Sequence, residues 1–310
     1  MTVEEYTHAL ADEWDALVEA SRNGTFLHKR GYMDYHASRF ADASLIARDG
    51  RGRAVAALPA HYSGDVVSSH RGLTYGGWLM TMRADAAAML DIWAQAAEHY
   101  RARGFSELFY RPAPHIYHKY PAEEDIYAVF RAGGRLDSTL ISSVIATANA
   151  PRFDETRRQG VRKASAAGVV VDESGDWVGF WAILTALLAE KYNATPVHSL
   201  DEITMLQGRF PANIKLYTAT FEDRIIGGAV LYITDTVAHT QYVATTDAGR
   251  ELNALPLLYS YLLEQYRHLP YFDFGTSNED AGRILNTGLI AQKQAYGARA
   301  IVYPSFTIPL

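Results

Sequence analysis

The stretch NIKLYTATFEDRIIGGAVLYITDTVAHTQYVATT, residues 213–246, decides how the rest of the chain is read. Three runs rich in β-branched and aromatic residues are separated by Glu222-Asp223 and by Thr234-Asp235-Thr236. Polar turns at that spacing predict a three-strand meander. Its last run ends in Thr245, Thr246 and Asp247, and a loop with Gly249 and Arg250 feeds the helix predicted for NALPLLYSYLLEQY. Pro256 is tolerated there in the first turn. YFDFG, at 271–275, predicts a strand, the Asn286 to Lys293 region a helix, and ARAIVYPSFTI a final strand.

Outward from the meander, FDETRRQGVRKASAAG predicts a helix, VVVDES a short strand, and DWVGFWAILTALLAEKY a strongly apolar helix. PVHSLDEITMLQGRF is a further helix, introduced by Ser199. The first half follows the same plan. DEWDALVEASRNG predicts a helix closed by Gly24, and RGYMDYHASRF a short second one. ASLIARDGRGRAVAALPAHYSG reads as a hairpin turning at Asp49-Gly50. ADAAAMLDIWAQAAEHYRARG is a helix ended by Gly104, followed by strand FSELFYR, helix EEDIYAVFRAGG and strand RLDSTLISSVIAT. The expectation is a pair of α/β (α+β) units, each a mixed sheet flanked by helices. They would span residues 1–148 and 149–310, with a seam at ATANAPRFD, 146–154.

A chain of 310 residues has room for two such domains. It contains no Cys, which removes disulfides, thiolate nucleophiles and Cys-rich zinc sites. The net charge of −6 argues against a protein that tracks a nucleic-acid backbone. The basic run RRQGVRK reads as the solvated start of a helix. The acidic start MTVEEYTHALADEWDAL lacks the apolar segment of a signal peptide. No apolar run approaches the roughly 20 residues that span a bilayer. The expected compartment is the cytoplasm, with no membrane partner.

Three places concentrate chemistry. At the joint after the meander, backbone N–H groups at a helix start could cradle phosphate oxygens, with Arg250 as a charged clamp. In YFDFGTSNEDAGRILNTGLIAQKQAYGA, Asp273 alternates with Phe272 and Phe274 and so points away from one face. Ser277, Asn278 and Glu279 would line the end of the sheet, Ser277 or Asn278 would cap the following helix with Asp280 in its first turn, and Lys293 sits on a partly apolar face. In the first half, SHRGLTYGG and PHIYHKYPAEED bring His70, Tyr75, His118 and Lys119 into glycine- and tyrosine-rich turns. No HExxH or carboxylate–His pairing follows, so no metal is expected. His198 and His239 are the remaining candidates for proton transfer. Without GxSxG, GxGxxG or a P-loop, nucleophilic hydrolase, dinucleotide and triphosphate readings lose their usual support.

The two-unit plan and the strand–loop–helix joint resemble the tandem form of the GNAT acyltransferase superfamily, shared with FemAB-type peptidyltransferases. VRKASAAGVVV resembles the opening of the second FemAB unit. FDFG followed by GLIAQKQAYG resembles the terminal FDFGG…GLxxFKxxFG pattern, with Gln292 where that pattern has an aromatic residue. NGTFLHKRGYMDYHASRF, SHRGLTYGG, PVHSLDEI, HTQYVATT and FDFGTSNEDAGRILNTGLIAQK are similar to bacterial N-acyltransferases acting on dTDP-linked amino-deoxysugars. The resemblance implies direct acyl transfer from acyl-coenzyme A to such an amine, without a metal, in surface polysaccharide (lipopolysaccharide, O-antigen) biosynthesis. It implies coenzyme contacts at Val243, Ala244, Thr245, Ala248, Gly249, Arg250, Asn253 and Asn286. It implies substrate contacts at His70, Tyr75, His118, Lys119, Gln241, Ser277, Asn278, Glu279 and Lys293, and chemistry at His239, His198 and Asp273. TTDAGRELNA departs from the superfamily's Q/R-x-x-G-x-G/A loop by carrying a single glycine. The resemblance allows a homodimer. Two other functions fit the fold: a FemAB-like transfer from aminoacyl-tRNA, and a non-catalytic sugar- or partner-binding protein.

Overall fold

The computed structural model describes residues 1–310, Tyr192 by its backbone alone. The chain divides into two compact units. The first holds residues 1–140, 278–284 and 302–310, and the second residues 141–277 and 285–301. The division falls inside the strand expected from Arg135 onward, so residues 141–148 lie with the second unit.

The first unit begins with strand β1 (Thr2–Glu5), helices α1 (Ala11–Ala20) and α2 (Arg30–Met33), and strands β2 (Ala41–Asp42), β3 (Leu45–Arg48), β4 (Ala54–Leu58), β5 (His61–Ser63), β6 (Val66–Ser68) and β7 (Leu79–Met80). Helix α3 (Ala86–Ala102), strand β8 (Glu107–Tyr110) and helix α4 (Glu124–Arg131) follow. One sheet has the order β1-β3-β4-β7, and β8, β6, β5 and β2 are neighbours in another. Only apolar side chains can fill the space between these sheets and α3, and Leu45, Val55, Trp78, Met89, Ile92 and Tyr110 do so, all fully buried. Each such residue contributes about 1.5–3 kcal/mol.

One local expectation needs correction. Helix α1 ends at Ala20 because Ser21 is extended, four residues before Gly24. Gly24 is there for space: a Cβ would lie 2.2 Å from Ser21 Oγ. The β3–β4 hairpin turns at Asp49-Gly50 as the sequence predicts, with Gly52 left-handed (φ 76°) just behind. Asp49 Oδ1 closes that turn by accepting from the Arg51 and Arg53 amides.

Strand β9 (Arg135–Ala146) runs into the second unit, which continues with α5 (Glu155–Ala167), β10 (Val170–Glu173), α6 (Trp177–Tyr192) and α7 (Leu200–Arg209). The quoted meander is β11 (Ile214–Phe221), β12 (Arg224–Ile233) and β13 (Val237–Thr245). After it come α8 (Asp247–Glu251), α9 (Ala254–Gln265), β14 (Tyr271–Thr276), the short β15 (Asn278–Glu279) and β16 (Ile284–Leu285), α10 (Thr287–Gln294) and β17 (Arg299–Pro309). The sheet order is β10-β11-β12-β13-β14-β9. Its pairings are antiparallel except β13–β14, which is parallel. Each unit is thus the mixed, mainly antiparallel sheet with flanking helices that the sequence predicts.

Capping follows the sequence closely in this unit. Ser199 and Glu202 form a reciprocal capping box on α7. Gly168 ends α5 in the left-handed conformation. Two expectations change. Residues 247–251 are a helical turn, not a loop, capped by the Thr246 side chain. The helix carrying Lys293 is capped by Asn286, whose Oδ1 accepts from the Leu289 amide, not by Ser277 or Asn278. The reason is that residues 278–285 form a small hairpin of their own before α10 starts.

Candidate active site

Strands β13 and β14 pair at only three positions, Val237↔Tyr271, Ala238↔Phe272 and His239↔Asp273. Beyond these positions the two strands no longer pair with each other, so the sheet splits from His239 and Asp273 onward. A second irregularity lies at the same place. Val230 pairs with Tyr242 and Leu231 with Thr240, leaving Gln241 as an extra residue in β13. Such a bulge changes which face later side chains point to. Tyr232 and Val230 are two residues apart and share a face; their partners His239 and Tyr242 share it too. Without Gln241, His239 and Tyr242 would point to opposite faces.

His239 Nδ1 lies 3.0 Å from Asp273 Oδ2. The carboxylate is fully buried and held at its other oxygen. Oδ1 accepts from Ser142 Oγ of β9 at 2.6 Å and from the Gly275 amide at 2.8 Å. With the Asp273 carboxylate ionised, His239 donates through Nδ1, which leaves Nε2 as the acceptor. Gly275 is left-handed (φ 79°), and a side chain there would meet His239 Cε1 at 3.4 Å. Lys293 reaches back from α10 and donates to the Gly275 and Thr276 carbonyls at 2.8 and 2.7 Å. Burial pulls its ammonium down to about 8, with Asp273 acting in the opposite direction. The lysine is therefore a strut that fixes the end of β14 while carrying charge at neutral pH. On the sheet's other face Phe272 and Phe274 pack with Tyr259 and Tyr296.

A second proton-carrying pair stands on the His239 face. His198 Nδ1 is 2.6 Å from the Tyr242 hydroxyl, and Trp181 of α6 packs edge-on against the Tyr242 ring. Burial raises the Tyr242 hydroxyl above its ordinary value. Ser142 and Tyr242 were not singled out from sequence. Ser142 sits in an ordinary strand pattern that carries no signal, and the role of Tyr242 depends on the bulge.

The expected coenzyme residues lie along the far part of β13. The Thr246 amide donates to Ile226 O on β12. By alternation along the strand, Ala244 also spends its backbone groups on β12, while Val243 and Thr245 turn theirs toward the open edge. Those edge groups fit an extended amide-bearing arm. Gly249 packs under β12, where a Cβ would lie 2.1 Å from Ile226 O. Ala248 lies beside it in α8. Arg250 pairs with Asp247 and donates to Thr245 O at 3.2 Å. Asn253 is the left-handed residue that starts α9, and Asn286 serves as the α10 cap.

Ser277 is buried with its Oγ unpartnered. Asn278 donates to Gly282 O within the 278–284 segment of the first unit, which also holds Glu279. Of the first-unit residues, Tyr75 is interior, 2% exposed, and packs on Tyr117. His118 donates through Nε2 to Ala113 O at 2.9 Å, and Lys119 Nζ donates to Glu19 O. His70 stacks on His36 and meets His61, with ring centroids 5.1 and 5.3 Å apart.

Comparison with known proteins bears on the fold. Residues 152–281 match the family model described as an acetyltransferase (GNAT) domain. No curated protein matches the chain significantly. Among solved structures, FemX is similar over 100% of this chain and 98% of its own, at 12% identity and a TM-score of 0.71. L-PGS from Bacillus licheniformis is similar over 99% of this chain and 92% of its own, at 9% identity and 0.61. A tandem GNAT protein from the clavulanic acid biosynthesis pathway is similar over 99% and 98%, at 14% identity and 0.50. At these identities what is shared is the fold. Residues 152–281 are thus similar to a GNAT acetyltransferase domain, and the fold is one found in a tandem GNAT protein and in FemX.

Proposed function

We propose that the second unit moves an acyl group from acyl-coenzyme A to the primary amine of a nucleotide-linked, dTDP-type amino-deoxysugar. The observation that supports this reading is the split between β13 and β14 with the His239–Asp273 pair at its apex. The open edge of β13 offers the Val243 backbone groups and the Thr245 amide to the coenzyme's amide-bearing arm, Thr245 O being taken by Arg250. In the reaction the amine nitrogen bonds to the acyl carbon, the carbon–sulfur bond breaks, and the thiolate leaves. His239 Nε2 takes the proton the amine loses, and Asp273 steadies the imidazolium that results. Lys293 and Ser142 hold the apex in shape.

The experiment is a panel of acyl-coenzyme A donors against dTDP- and UDP-amino sugars, read by free-thiol release. Thiol release that needs both substrates is the expected result. His239→Ala should lower kcat by about 100-fold, with little change in the coenzyme KM. Turnover only with aminoacyl-tRNA, or coenzyme binding too weak for calorimetry, would replace this reading. A wild-type kcat in His239→Ala would remove that residue from the chemistry.

A further inference from the structure

The first unit has its own parallel pair. Strands β6 and β8 align at Val66↔Glu107, Val67↔Leu108 and Ser68↔Phe109; β6 ends at Ser68 and β8 at Tyr110, with a single parallel bridge, Gly76↔Pro112, beyond them. Beyond their carboxyl ends lie the turn His70-Arg71-Gly72 and Arg111. Arg71 sits over the Phe109 ring at 4.5 Å and Arg111 at 5.7 Å, so two guanidinium groups share one aromatic side chain. Neither forms an ion pair among the described residues. Arg111 donates through Nε to Ser305 Oγ at 3.2 Å, and among the described residues its two terminal nitrogens, like the whole Arg71 fork, meet no acceptor. Burial is the first cause that pulls the Arg111 guanidinium below its ordinary value, and the Arg71 charge is the second. The backbone around them is tied down. The Arg111 amide donates to Ser69 Oγ, the Ser69 amide to Phe109 O, and the Gly76 amide to Arg111 O.

Two like charges, one of them half-buried, are costly to hold together without a counter-charge. An ion pair with a protein carboxylate would be the usual remedy, and here there is none. Open ends of parallel strands are where sheets of this kind take ligands. Planar guanidinium forks match the paired oxygens of phosphate. We propose that Arg71 and Arg111 form a binding site for a phosphate-bearing small molecule at the carboxyl ends of β6 and β8. The site belongs to the first unit and does not depend on the acyl-transfer chemistry of the second.

The test is calorimetry of the full chain with inorganic diphosphate, dTDP and coenzyme A, in wild type and in Arg71→Gln. Arg71 is exposed, so its replacement leaves the fold intact, and the melting temperature of the variant checks this. At least one probe should bind wild type, more weakly as salt rises, and lose about ten-fold or more in affinity in Arg71→Gln through loss of one charge-assisted fork. Arg111→Lys, which keeps charge without the fork, should weaken binding as well. The probe that discriminates best identifies the source: equal loss for diphosphate and dTDP means the phosphate alone is read, a larger loss for coenzyme A assigns the coenzyme. Unchanged affinity for every probe in Arg71→Gln, or binding of none by wild type, overturns the proposal.

Discussion

Asp273 shows how much a single side chain can organise. Its two oxygens take three partners from β9, β13 and the β14 turn, all within 3.0 Å. Removing one donor should be felt at the histidine. Ser142→Ala should lower kcat by about ten-fold, the worth of one hydrogen bond to a charged group, without a matching rise in KM. A Ser142→Ala enzyme at full kcat would mean that the Gly275 amide alone suffices. Lys293 makes a second prediction. Its ammonium, near 8, is charged below that pH and is lost as pH rises through it. Activity that depends on the charged strut should therefore fall above about pH 8. The alkaline limb should vanish in Lys293→Met at a lower rate. An identical limb in that variant would assign the titration elsewhere.

At the scale of elements, the β13 bulge and the β11–β12 turn are most informative. Deleting Gln241 would restore regular pairing and send His239 and Tyr242 to opposite faces. Loss of thiol release with a melting temperature near wild type is the expected result, and retained activity would show that the shared face is immaterial. The turn at Glu222-Asp223 places two non-glycine residues at positive φ, 47° and 60°. That backbone belongs to the hairpin turn that prefers Asn-Gly. Replacing the pair by Asn-Gly should stabilise the chain by about 1 kcal/mol, read as a higher urea midpoint. No gain would mean that flanking packing already compensates.

At the scale of the molecule, the first unit should be sensitive to acid. Burial pulls His28 and His61 down to about 4 and His70 to about 2. Histidines whose folded values lie below the unfolded one must stay neutral in the native state. Their contribution is complete above the unfolded value near 6.5 and is lost as pH falls from there toward 4. Asp125 works the other way: burial raises its carboxyl to about 7, so it favours the folded state less as pH rises from about 4 to 7. Burial lowers His118 too and raises Asp15 and Asp34 along with Asp125, but His28, His61 and His70 together shift further than these carboxyls, so the melting temperature should climb between pH 4 and 6.5. His61→Asn should flatten that climb, and a melting temperature independent of pH across this range would contradict the assignment.

The order of helices and strands, the two-unit plan, the mixed sheet and most capping residues were legible in the sequence. Hydrophobic period, turn residues and caps such as Ser199 are local, and local chemistry is enough to specify them. Asp273, His239 and Lys293 each stand out in the sequence as polar side chains of the second half, but that they meet is read only from the fold. The partnership of Ser142 with Asp273 joins residues 131 positions apart and leaves no mark in either neighbourhood. The bulge at Gln241, the hidden helical turn around Gly249 and the unpaired guanidiniums of Arg71 and Arg111 belong with it. Each depends on strand register and on which neighbour removes which backbone group or charge from water. Only the folded chain decides those, because they are properties of paired surfaces and not of any one segment.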